Sequence, residues 1–392
     1  MRPGPAFRLC GLLATTAAAA TVASGSLGLA HRALAIFALP PLIALVVGSW
    51  VAHRRLLPWT TAALVSFLVA IATWWAGGVH VAAAGLALAV TAVATAQLFR
   101  GEPATVGAWR DYVTLTKPRI MSLLLLTGAC GMFVGAEGVP PLGDLAAMLV
   151  GLALACGGAS ALNHYLDRDI DRLMGKRTRA RPVAAGRIRP AYALEFGLAL
   201  SALSFVLLGS LTNVLTAVLA LVGNLFYVLV YTRWLKRSTP QNIVIGGAAG
   251  AVPPLVGWAA ATGNLALPAL ALFAIVFFWT PPHFWALALL IRRDYEAAHV
   301  PMLPVVRGER ETVRQILLYT LVLIAVTLAP VAFGLFGTLY AAAALVLGGL
   351  FLWLAWRLRR ELVPGRAAVL FHYSLAYLAL LFVAMALDPV LA

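Results

Sequence analysis

Three residues near the middle of the chain have the types and spacing to hold a divalent cation. Asn163, Asp167 and Asp171 stand at i, i+4 and i+8 in GGASALNHYLDRDIDRLMGKRTRARP. A helix would put an amide oxygen and two carboxylates on nearly one face, over about two turns. Such hard oxygen donors suit Mg2+, which takes one or two carboxylates and completes its shell with water and phosphate oxygens. Gly157, Gly158 and Ser160 just upstream permit close helix approach. Downstream come Lys176, Arg177, Arg179, Arg181 and Arg187, and guanidinium forks beside metal-holding carboxylates are what a diphosphate needs. The plainer reading is a solvated helix end in which Asp167, Arg168, Asp169, Asp171 and Arg172 pair along the helix. Asn163, lying above the charges in an apolar segment, weighs against it.

Three other runs carry polar groups in apolar surroundings. IRRDYEAAHVPMLPVVRGER offers Asp294, flanked by Arg292 and Arg293, as a second carboxylate able to face the first cluster. YTRWLKRSTPQN offers Tyr231, Arg233, Lys236, Arg237 and Asn242. Lys236 and Arg237 alone read as the basic residues of a loop, and Asn242 as a helix cap. WTPPHFWALAL sets Pro281, Pro282 and His283 inside an aromatic span, where the prolines should kink the helix. His283 is either a packed, hydrogen-bonded histidine or a contact to polar groups of a substrate.

The elements that must position these residues are membrane helices. The 392-residue chain is 62% hydrophobic and 11% charged, with a mean hydropathy of +0.93; soluble domains carry about 45–50% apolar and about 25% charged residues. That excludes a soluble globular enzyme, a disordered chain and a disulfide-rich module. The apolar residues fall in blocks of about 20, the length that crosses a bilayer as helix, so the fold class is all-α, a polytopic membrane protein. Four spans are expected near 7–29, 33–52, 58–77 and 80–99, and nine more near 120–138, 144–166, 191–210, 212–231, 241–260, 267–290, 314–334, 338–356 and 367–388. Between them, 101–118 reads as a polar cytoplasmic linker with an interfacial piece, which divides the chain into 1–100, 101–118 and 119–392.

The net charge of +15 and pI of 10.6 would suggest nucleic acid in a soluble protein. Here the basic residues sit in alternate short connections, which points to anionic lipid headgroups and not to nucleic acid. The same alternation puts the N-terminus and the charged loops in the cytoplasm of a cell that holds the chain in its inner or plasma membrane, with the C-terminus outside. The first block read as a secretory signal peptide is the competing view. Cys10, Cys130 and Cys156 lie in apolar blocks without a CxxC pair and read as buried small residues. A transporter would place ionisable groups at mid-span or show inverted repeats; here the acids gather at helix ends.

Asn163-His-Tyr-Leu-Asp167-Arg-Asp-Ile-Asp171 resembles the first acidic motif of the UbiA-type membrane prenyltransferase superfamily. The runs NHYLDRDIDRLMGKRTRARP, YTRWLKRSTPQNIVIGGAAGAVPPLVGWAAATG, WTPPHFWALAL and DYEAAHVPMLPVV, in that order, resemble its protohaem IX farnesyltransferase (haem O synthase) branch, over about 105–392. The resemblance implies a nine-helix bundle whose cavity opens to the cytoplasm and the lipid. It implies farnesyl transfer from farnesyl diphosphate to a vinyl group of haem B, with water added and diphosphate released. A quinone precursor or another tetrapyrrole is the alternative acceptor. It further implies Asn163, Asp167 and Asp171 as the first Mg2+–diphosphate set and Asp294 as the second. Lys117, Arg119, Arg177, Arg181 and Lys236 are then the candidates for diphosphate or haem propionates. The wider superfamily has another Asp four residues after the second; this chain has Ala298, as the haem branch does. Membrane lipids are further partners, and haem A synthase or cytochrome oxidase assembly factors the expected protein partners.

Residues 1–100 lie outside that resemblance. His31 and His80 begin the second and fourth expected spans, and paired histidines on facing helices are a common way to hold haem. The segment resembles one four-helix half of haem A synthase, which implies a partial haem-binding bundle. The alternative is an accessory membrane anchor with histidines at the interface.

Overall fold

The computed structural model describes residues 8, 11–15, 41–48, 60, 61, 63–65 and 108–391. His31, His80, Cys10 and most of the first four expected spans lie outside the described residues. Among the described residues, nine helices are long and apolar enough to cross a membrane: α1 (Pro118–Gly135), α2 (Leu142–Leu166), α3 (Pro190–Leu211), α4 (Val214–Ser238), α5 (Asn242–Thr262), α6 (Leu267–Leu290), α7 (Gly308–Ala332), α8 (Thr338–Arg360) and α9 (Pro364–Leu391). The protein is therefore a multi-pass membrane protein, as its composition required.

Each helix packs on the next, and α9 returns to α1, so the nine close into a ring. The most extensive contacts across it are α1 on α5 and α6 on α9. Helices in lipid gain little from apolar burial against each other, and small residues let their backbones come close. At the α1–α5 crossing a Cβ on Gly131 would lie 3.1 Å from the Pro254 carbonyl carbon, and at α2–α3 a Cβ on Gly158 would lie 2.8 Å from the Gly197 carbonyl oxygen. Only glycine allows either approach. Trp279, Tyr340, Phe351, Tyr377 and Phe382 fill the larger core on the α6–α9 side, while Met132, Met148, Leu152, Leu208 and Val256 fill the smaller one.

Three expected boundaries shift where charges cap helix ends. The span expected to end near 231 runs on through 233–237 as the tail of α4, and α7 begins at Gly308, ahead of the expected 314. α8 runs on to Arg360. There Arg357 lies over the Trp353 ring at 4.7 Å and Arg360 over Trp356 at 4.2 Å, so long cations with aromatic support extend the helix instead of ending it. The tail of α4 is unusual in another way: Phe226–Leu235 winds as π-helix, a wide turn that is rare outside functional sites. α6 runs unbroken through Pro281 and Pro282.

One buried acid belongs wholly to the fold. Asp388 of α9 accepts from the backbone N–H of Gly337 and, at 3.2 Å, from that of Tyr340. Its carboxylate thereby caps the start of α8, which has no side-chain cap of its own.

Candidate active site

The acidic cluster forms where α2 ends. The helix stops at Leu166 and a short helix, Arg168–Leu173, follows. The backbone still passes Asp167 N–H to Asn163 C=O and Asp171 N–H to Asp167 C=O, each at 2.8 Å. The i, i+4, i+8 spacing therefore survives the change of helix. All three side chains are buried, Asp167 at 0% and Asp171 at 1% exposure. The solvated helix end is thus excluded for these two acids. Asp169 is exposed, but it too pairs across the fold and not along its helix, gripped by Arg237 of α4 through two 2.7 Å bonds.

Cations from three other segments meet the cluster. Lys117 donates to Asn163 Oδ1 at 2.8 Å, Arg181 to Asp171 Oδ1 at 2.7 Å and Lys236 to Asp167 Oδ2. Asn163 turns its amide nitrogen to Asp167 Oδ2 (2.9 Å) and Thr232 Oγ1 (3.1 Å). Arg237 stands 3.8 Å from Asp167 Oδ1, too far for a hydrogen bond. Lys117 reaches inward from a left-handed residue, φ 50° and ψ 60°, between a short helix (Trp109–Leu115) and Pro118. A non-glycine residue held there costs about 1–3 kcal/mol and is typical of functional sites. Loss of water around its ammonium, with Arg181 close by, pushes the Lys117 pKa down to about 7. Burial pushes the Asp171 carboxyl up in spite of Arg181, whereas the Arg237 hydrogen bonds hold Asp169 below the usual carboxylate range.

The pairing leaves a remainder. Asp167 Oδ1 and Asp171 Oδ2 are buried without a hydrogen-bond partner, and so are both ring nitrogens of His164. Among the described residues no group of three or more His, Cys, Asp or Glu is gathered to hold a metal ion. A cation here would take oxygen from Asp167, Asp171 and Asn163 and complete its shell from water or a phosphate, as Mg2+ does.

Asp294 reaches the same region from a short helix after α6, Arg292–Ala297. It abuts Gly175, where an added Cβ would lie 2.8 Å from the carboxyl carbon. The two acidic segments therefore meet, although Asp294 does not close a three-carboxylate cage with Asp167 and Asp171. Ala298 is buried in the core. Burial pushes the neighbouring Tyr295 hydroxyl up to about 12.

Of the expected basic residues, the fold brings Lys117, Arg181 and Lys236 to the cluster, while Arg119 and Arg177 are exposed outside it. His283 follows the bland reading. It is stacked between Trp279 (4.3 Å) and Phe371 (4.9 Å), and its Nδ1 is 2.7 Å from Ser374 Oγ. Asn242 is buried at the start of α5 and donates to Thr239 C=O at 2.6 Å. Thr232 and His164 were missed. Thr232 stands four residues before Lys236, on the same helical face, and His164 lies inside the quoted motif; spacing could have flagged both.

Residues 124–384 match the UbiA prenyltransferase family. The chain is 56% identical over 281 residues to a protein named protoheme IX farnesyltransferase from Symbiobacterium thermophilum, 71% of this chain and 94% of that one. A protein of the same name from Roseiflexus sp. (strain RS-1) is 52% identical over 293 residues, 75% of this chain and 54% of that one. The chain thus spans nearly all of the first relative and about half the length of the second. Among solved structures, a digeranylgeranylglyceryl phosphate synthase shares the fold at TM-score 0.61 and 17% identity, covering 72% of this chain and 99% of its own. A UbiA homolog from Archaeoglobus fulgidus, bound to DMAPP and Mg2+, does so at TM-score 0.51 and 17% identity, covering 70% and 99%. Family match, helix count and buried acidic motif agree: this chain belongs to the UbiA prenyltransferase family.

Proposed function

We propose that this chain transfers the farnesyl group of farnesyl diphosphate to a vinyl group of haem B, adding water and releasing diphosphate, with Mg2+ as cofactor. The observation that carries the reading is the buried Asn163–Asp167–Asp171 set with two orphaned carboxylate oxygens, ringed by Lys117, Arg181 and Lys236. The close relatives named protoheme IX farnesyltransferase support haem as acceptor, and the neighbour bound to DMAPP and Mg2+ supports the metal.

The residues present fit a hard divalent cation, because Asp167 Oδ1 and Asp171 Oδ2 are carboxylate oxygens buried without a hydrogen-bond partner. Asp167, Asp171 and Asn163 would hold it, with Asp294 on the facing segment. Bound there, the cation neutralises charge on phosphate oxygens as a Lewis acid. Lys117, Arg181 and Lys236 are donors only, so when the carboxylates turn to the metal their N–H groups are free for the phosphate oxygens. As the carbon–oxygen bond breaks, its electron pair leaves with diphosphate, and these fixed cations stabilise the growing negative charge in a low-dielectric site. The allylic cation takes a pair from the vinyl group, and water then adds to the new carbocation as a hydroxyl, its other proton passing to the released diphosphate. The apolar, aromatic bundle keeps water from the first cation until the carbon–carbon bond has formed.

On this reading the site faces the cytoplasm of the inner or plasma membrane. Residues 119–392 are the catalytic unit, 101–118 a linker and 1–100 a separate membrane extension. Haem A synthase or an oxidase assembly factor receives the product. The test is the purified chain with haem B, farnesyl diphosphate and Mg2+, the product read by mass. A farnesyl-plus-water adduct of haem is expected. Prenylation of a quinone precursor or another tetrapyrrole in place of haem would overturn the acceptor, and no transfer to any of them the whole reading.

A further inference from the structure

His164 is the buried polar group that the proposed reaction does not use. It sits between Asn163 and Asp167 on α2, is 1% exposed, and has no partner on either ring nitrogen. A neutral imidazole carries one donor and one acceptor, and burying both unmatched is costly in a low-dielectric site.

Its surroundings point to one neighbour. Ser160, one turn earlier on the same face of α2, donates to Leu115 C=O at 2.6 Å. That face therefore lies under the short stretch leading to Lys117. Ala161 packs with Val183 and Ile188 of the segment carrying Arg181. Lys117, Arg181 and Lys236 bond to the residues on either side of His164 in the motif, Asn163, Asp171 and Asp167. Lys117 has Asn163 Oδ1 as its acceptor, the same oxygen that the proposed cation would take. An ammonium cannot accept, so once Asn163 is engaged it needs another acceptor nearby. The adjacent residue holds one unused.

We propose that His164 is a positioning residue acting through Lys117: one imidazole nitrogen accepts the Lys117 ammonium released by Asn163 and holds it on the diphosphate. This rests on the diphosphate site proposed above. The imidazole forms no bond to substrate, and its other nitrogen is left to a buried water.

The test is binding of inorganic diphosphate with Mg2+ to the full-length chain by calorimetry, beside KM and kcat with farnesyl diphosphate. His164→Leu should weaken diphosphate binding about tenfold, the size of one charge-assisted hydrogen bond, and raise KM for farnesyl diphosphate while KM for haem stays put. His164→Gln, which restores an acceptor, should recover most of the loss. In a Lys117→Met background the His164→Leu change should cost nothing more, because the partner is gone. Undiminished diphosphate binding by His164→Leu, or the same loss with Lys117 absent, overturns the proposal. If the Leu chain does not fold, His164→Asn, whose shorter amide stops short of the outer ring nitrogen, carries the same comparison. A parent chain that binds no diphosphate removes the site itself, whereas tight binding by parent and Leu variant alike leaves the site standing and removes only the role of His164.

Discussion

Asp388 and the Asp167–Asp171 pair are all buried carboxylates, and they are buried differently. Asp388 gives its oxygens to the backbone N–H groups of Gly337 and Tyr340, and nothing is left over. Asp167 and Asp171 each give one oxygen to a mobile-headed cation and keep the other buried and unmatched. Burial of an acid is thus no sign of chemistry by itself. A fold that needs a carboxylate for capping satisfies it with fixed donors, while a site meant to receive something leaves capacity and supplies partners able to let go. The same contrast separates His283, held by Ser374 and two rings, from His164, held by nothing.

Substitutions can break or sharpen that contrast. Asp167→Ala or Asp171→Ala should cut turnover by about a thousandfold or more, since charge stabilisation at the leaving group is lost, with the fold retained by circular dichroism and thermal melting. Full activity in either variant would remove the metal assignment. Asp388→Ala should do the reverse. Stability should fall by about 1–3 kcal/mol, because two backbone N–H groups lose their acceptor, while kcat per folded molecule is unchanged; a loss of kcat without a loss of stability would dissolve the distinction. Lys236→Met should raise KM for farnesyl diphosphate about tenfold and leave KM for haem alone, as steady-state assays varying each substrate would show. The smallest effect belongs to the exposed Arg237–Asp169 pair, worth less than about 1 kcal/mol. Asp169 is held below its usual pKa when folded, so its contribution is present above the ordinary Asp range and is lost as pH falls through the folded value. Asp169→Asn should flatten the acid side of a stability–pH profile and leave turnover intact.

The nine helices and the acidic motif were legible in the sequence because both signals are local. Apolar runs set the spans, and an i, i+4, i+8 spacing keeps its face even where α2 gives way to a second short helix at Asp167. Local patterns also misled. A basic run after an apolar one reads as a loop, yet Arg233–Arg237 continues α4, where Lys236 and Arg237 find acids just beyond the end of α2. Contacts between distant segments were not legible. Nothing near Asp388 announces that its partners lie 51 and 48 residues back. Nothing near Gly175 says that Asp294 will press on it. Among the basic candidates, Arg177 and Arg181 are alike in sequence, and only the turn of the chain between them makes one the partner of a buried acid and the other an exposed charge.

The wide winding of Phe226–Leu235 has a consequence for length as well as for shape. It lets Tyr227 and Tyr231 stack at 5.5 Å while bringing Lys236 under Asp167. The same residues wound as ordinary α-helix would swing everything beyond by about 100°. The Lys236 ammonium would then leave the acids. The winding between the two tyrosines and the lysine is itself part of what places that cation.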